Sequence, residues 1–155
     1  MNGAYLHLAV NHLPIILTPV GFLLLLAALI RKSKDLAQAG FVVLVLVALS
    51  TWVTTETGDM AAGVVRNLPG IERARIHEHA QAADYAVWPA MILGALSLFG
   101  LWKAEKSGGV PRGLAILVLL GSLFLSTIMV RVAHLGGLIR HPEIAKNFVV
   151  PPSPE

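Results

Sequence analysis

The sequence predicts an all-α fold, a four-helix transmembrane bundle with both termini on the same, outer side. Three observations carry this expectation. Of 155 residues, 55% are hydrophobic and only 14% charged, whereas a soluble domain carries about 25% charged residues. The apolar residues fall in four runs, each near the roughly 20 residues needed to cross a hydrocarbon core of about 30 Å. Short basic connections separate two pairs of runs: Arg31, Lys32 and Lys34 in one, Lys103, Lys106 and Arg112 in the other. A single four-span domain then covers residues 1–155.

The first span is expected over about 6–30. Pro14 and Pro19 lie in its outer half and Leu23 to Leu26 in its inner half. Prolines are tolerated in membrane helices where neighbours satisfy the freed carbonyls, and a kink is expected beside them. No positive charge precedes this run, so it reads as a retained helix rather than a signal peptide. The second span, about 36–57, turns polar over Thr51 to Thr57, with Trp52 suited to the interfacial belt. Residues 58–78 form the outer loop, with a turn signal at Asn67 to Gly70. The third span covers about 79–102. Gly108, Gly109 and Pro111 make a short turn before the fourth, about 113–135. Gly136 and Gly137 are expected to break the helix there, and 142–155 reads as an extended tail.

Lys and Arg close to the spans favour the two short connections as cytoplasmic. The location implied is that of a multi-pass membrane protein, with the lipid bilayer as its first partner. The net charge of +3 does not point to nucleic acid, because the basic residues form no soluble face. The absence of cysteine excludes disulfides, thiolate metal sites and covalent c-type haem attachment.

All six histidines fall toward the outer face. His7 and His12 begin the first helix, His77 and His79 the third, and His134 and His141 end the fourth. His12 stands 18 residues before Ile30, about 27 Å of helix at 1.5 Å per residue, and His134 stands 21 residues after Gly113, about 31 Å. Three helices therefore offer imidazoles at similar heights, which a site inside a bundle requires. His77 and His79 lie about 200° apart around a helix, so only one of them points inward. Geometry leaves the choice open. Arg131 is a candidate partner for an anionic cofactor group, or alternatively for Glu56. Neutral imidazole suits haem iron, copper or zinc. No nucleophile or general acid–base constellation is visible, so an electron-transfer subunit is expected rather than a stand-alone enzyme.

The opening His7-Leu8-Ala9-Val10-Asn11-His12-Leu13-Pro14-Ile15 resembles that of small four-helix bacterial membrane proteins of unknown function, whose usual form is H-P-x-x-V-H-F-P-I. Here Leu8 replaces the Pro and Leu13 the Phe. Thr57-Gly58, Ile76-His77-Glu78 and His134-Leu135-Gly136-Gly137 extend the likeness over most of the chain. Such proteins are thought to bind haem in the manner of b-type cytochromes. Carried over by position, the resemblance implies His12, His77 and His134 as the ligands of haem iron, with His7, His79 and His141 behind them. One or two haem b groups are expected, exchanging electrons with a periplasmic partner or other respiratory-complex subunits. The alternatives are a histidine-held copper or zinc ion, or a structural subunit without cofactor.

Overall fold

The computed structural model describes residues 2–145, and among them every regular element is helical. The chain runs through α1 (Gly3–Val10), α2 (His12–Arg31), α3 (Lys34–Val65), α4 (Arg73–Ser107) and α5 (Arg112–Arg140), then one 3-10 turn at Pro142–Ile144. Helices α1 and α2 together make the first span, so four helical rods are long and apolar enough to cross a membrane.

The break between α1 and α2 has a local cause. Pro14 has no N–H, and its ring crowds the carbonyl four residues earlier, that of Val10. The helix therefore stops at Val10 and restarts at His12, with Pro14 tolerated in the new first turn. In a bilayer the freed carbonyl needs a donor from within the protein. Thr54 on α3 provides it, its hydroxyl lying 3.4 Å from the Val10 oxygen.

α2 packs on α3, α3 on α4, α4 on α5 and α5 on α2, while α1 rests chiefly on α3. The four rods thus form a ring in which α3 and α5 are diagonal. The α3–α4 seam is close because the buried face of α4 is almost entirely small: Ala82, Ala86, Ala90, Gly94, Ser97, Gly100 and Ala104. A Cβ built on Gly94 would meet that of Ala48 at 2.5 Å. Small residues permit this approach where packing, rather than water exclusion, holds helices together. The outer surface is the more apolar one. Leu23, Ile30, Leu49, Leu98, Leu120 and Val130 are exposed, while Thr18, Thr51, Ser97 and Ser122 are buried. Three of those four hydroxyls donate to carbonyls of their own helices. At the end with short connections, Lys106 lies over the Trp102 ring at 4.8 Å, an interfacial pairing.

The helices run further than hydropathy alone suggests. α3 continues to Val65 and α4 begins at Arg73, so the expected loop 58–78 shrinks to residues 66–72. Helical hydrogen bonds do not need apolar side chains, and the two polar ends support each other as a hairpin beyond the apolar region. Arg73 closes its turn by donating to Asn67 Oδ1 at 2.9 Å and to the Arg66 carbonyl, with Gly70 at φ +76. Gly3 of α1 packs directly on Met60 of this extension. α5 likewise passes through Gly136 and Gly137 to Arg140. Ile144 then folds back against Gly137, so 142–144 is a turn rather than extended chain. The remainder of the expected tail lies outside the described residues.

Gly94→Leu is expected to destabilise the bundle by about 1–3 kcal/mol through overpacking of the α3–α4 seam. Gly63→Ala, where a Cβ meets nothing, should leave the midpoint of thermal denaturation in detergent undiminished or raise it slightly, since Ala favours a helix over Gly.

Candidate functional site

The structure gathers the histidines at one end of the bundle, but only two of them meet. His7 on α1 and His79 on α4 have ring centres 6.4 Å apart, with planes inclined at 75°. Both are half-buried, whereas His12, His77, His134 and His141 are exposed. The leading trio suggested by the sequence is therefore not brought together, and the pair that meets comes from the second rank.

The reasons are local. The interruption at Asn11 separates the register of His7 from that of His12, which shares its exposed face with Leu13 and Ile16. On α4, His79 stands three residues before Ala82 and seven before Ala86, both buried, so it points inward. His77 falls on the opposite side and faces out, contrary to the resemblance. His134 follows exposed Arg131 by three residues on α5 and stays on its outward face. His141, past the end of α5, donates from Nδ1 to Glu143 at 2.9 Å. Glu143's own backbone N–H and then this imidazole hold its carboxyl below the ordinary carboxylate range.

The two inward imidazoles are seated by the same device. His7 Nδ1 lies 3.1 Å from the Thr54 carbonyl of α3, and four residues on, Gly58 abuts the ring. A Cβ there would lie 3.3 Å from Cε1. His79 Nδ1 lies 3.1 Å from the Val132 carbonyl of α5, and four residues on, Gly136 abuts that ring, where a Cβ would lie 3.0 Å from Cε1. In each case a missing side chain one turn along leaves a notch, and the ring enters it to reach a helix carbonyl. The first two spans and the last two thus repeat one arrangement. A carbonyl oxygen only accepts, so each Nδ1 carries the proton and each Nε2 keeps its lone pair. That is the tautomer of a histidine ready to bind a metal through Nε2.

Asn11 adds a third polar group. It follows His7 by one helical turn, on the same face of the chain, and its buried Oδ1 has no hydrogen-bond partner. Arg131 is placed elsewhere. It lies on α5, diagonal to the α3 that carries Glu56, so the expected alternative pairing does not form. Glu56 instead accepts from Trp52 Nε1 at 3.1 Å, and Arg131 faces a cleft between α4 and α5.

Two motifs of the sequence thus mark the site through different residues than expected. Thr57-Gly58 and His134-Leu135-Gly136-Gly137 matter for their glycines. The five-residue spacing of His7 and His12 marks the site through its first member. Among the described residues, no three His, Asp or Glu side chains come together as a metal-binding group.

The chain matches no curated protein and no solved structure. A family model described as a predicted membrane protein, DUF2231, matches residues 3–141, and the chain belongs to that family.

Proposed function

We propose that the chain is a membrane-bound b-type cytochrome, a haem-binding subunit for electron transfer, with His7 and His79 as the residues that would hold the iron. The observation that carries this reading is the pair of inward imidazoles, brought to 6.4 Å between ring centres from two different spans, each with its Nδ1 taken by a helix carbonyl and its Nε2 left free of one. Backbone carbonyls orient both rings, as outer partners of metal-ligating histidines do.

The ligand count favours haem over a bare ion. Structural zinc takes four ligands and catalytic zinc three from the protein, whereas a porphyrin supplies four nitrogens itself and asks the protein for two. The placement of α1 also suits a flat group. α1 leans on α3 rather than on α4 or α5, so His7 reaches His79 across a boundary between loosely joined elements. The unpartnered Asn11 Oδ1 would accept a hydrogen bond from a donor near the site. Haem bound there would supply one-electron chemistry. The chain's own part is to orient two imidazoles and keep their Nε2 atoms unprotonated.

One such site lies near one face and does not span about 30 Å of hydrocarbon, so its electron donor and acceptor would meet it from the histidine end. The basic short connections at the other end support an outward-facing histidine end, in a bacterial inner membrane. A periplasmic carrier or a neighbouring respiratory subunit would be the partner.

The detergent-solubilised protein, expressed with ample haem, should show a reduced-minus-oxidised α band near ~560 nm. His7→Ala or His79→Ala should each abolish the low-spin spectrum, while His12→Ala, His77→Ala and His134→Ala retain it. A featureless difference spectrum from folded protein, or full spectra in both inward variants, would sink the reading. Gly136→Val tests the notch separately. It should displace the His79 ring and lower haem occupancy severalfold, with Gly137→Ala as the milder comparison.

A further inference from the structure

A cleft of about 390 Å³ opens between α4 and α5 at the histidine end. Small-molecule sites run from about 300 to 1,000 Å³. Its polar lining comes from two helical strips at three- to four-residue spacing: Glu78, Gln81 and Tyr85 on α4, and Arg131 on α5. Ile128 and Leu135 form apolar flanks one turn either side of Arg131. Arg131 stands 19 residues after Arg112, about 28 Å of helix, so the cleft lies where the hydrocarbon core of about 30 Å gives way to headgroups. Among the described residues the ion pairs are Arg75–Glu72 and His141–Glu143, which leaves Arg131 without a carboxylate partner. Ionisable groups at membrane depth commonly mark a binding function.

We propose that this cleft binds the ring of a membrane quinone. The lining selects the ligand class. Arg131, Gln81 and Tyr85 offer donors for two carbonyl oxygens, and Glu78 and Gln81 offer acceptors for the hydroxyls of the reduced form. The Tyr85 ring gives a flat aromatic surface. Arg131 and Glu78 together carry no net charge, which suits a neutral ring better than a phosphodiester, since Glu78 would repel the latter. The cleft lies between two membrane-spanning helices and is partly open, so an isoprenoid tail could extend from it along the apolar outer surface of the bundle. Its lining includes Ala82, three residues past His79, and Leu135, next to Gly136. A bound ring would therefore lie against the wall that carries the inward histidine. The assignment goes beyond the haem reading and does not depend on it.

The test is calorimetric titration of the solubilised full chain with a dimethoxy-methyl-benzoquinone bearing a decyl tail. Saturable binding is expected, weakened about tenfold or more in Arg131→Gln, the loss expected for one hydrogen bond to a charged group. Gln81→Ala should weaken it too, and Trp102→Phe at the far end should not. Wild-type protein prepared with and without added haem should bind the quinone alike, which separates this result from the fate of the haem reading. If Arg131→Gln does not fold, Gln81→Ala and Tyr85→Phe carry the comparison. Absence of saturable binding by folded protein, or equal binding in all cleft variants, overturns the proposal. So does Arg131-dependent binding of short-chain phosphatidylglycerol without binding of the quinone, which would make the cleft a lipid-headgroup site.

Discussion

Hydrocarbon offers no hydrogen-bond partner, so polar groups within this bundle, Asn11 Oδ1 and Ser97 Oγ apart, find theirs in the protein. That constraint organises the structure. Pro14 releases the Val10 carbonyl, and Thr54 answers it from the neighbouring span. Buried Thr18, Thr51 and Ser122 bond back to their own helices. His7 and His79 use the second lone pairs of carbonyls already engaged in helices α3 and α5. One consequence is that α1, cut from α2 by a proline, is tied to α3 by both its carbonyl and its histidine.

The same constraint explains why glycines matter here. A helix carbonyl is normally shielded by the side chain one turn further on. Gly58 and Gly136 remove that shield at two equivalent places, and an imidazole enters each gap. The seam between α3 and α4 uses small residues differently, to bring backbones together through Gly94 and Ala48. Glycine therefore serves two ends in one bundle. Along the α3–α4 seam it gives close packing, and at the histidine end it gives access to a carbonyl.

Much of the architecture was legible in the sequence. Four apolar runs, basic turns and scarce charge led to four rods, because bilayer thickness sets helix length directly. Their true ends were not legible. The polar stretches after Thr57 and before His79 are helical because backbone hydrogen bonds do not require apolar side chains, and hydropathy does not register them. Gly136 and Gly137 looked like a helix stop, yet α5 continues through them, since packing of Gly136 on His79 outweighs a weak local preference.

The sequence by itself determined that this is a four-span, all-α membrane protein whose histidines collect at one end, since those properties depend on local composition and length. The tertiary structure alone decided which histidines meet. His7 and His79 were both visible as candidates, but their partners, Thr54 and Val132, are ordinary helix carbonyls with no signature in the chain. Selection between His77 and His79, and between His7 and His12, depended on how α4 turns its small face to α3 and where Pro14 interrupts the first span. Those are relations between helices, and no single stretch of sequence carries them.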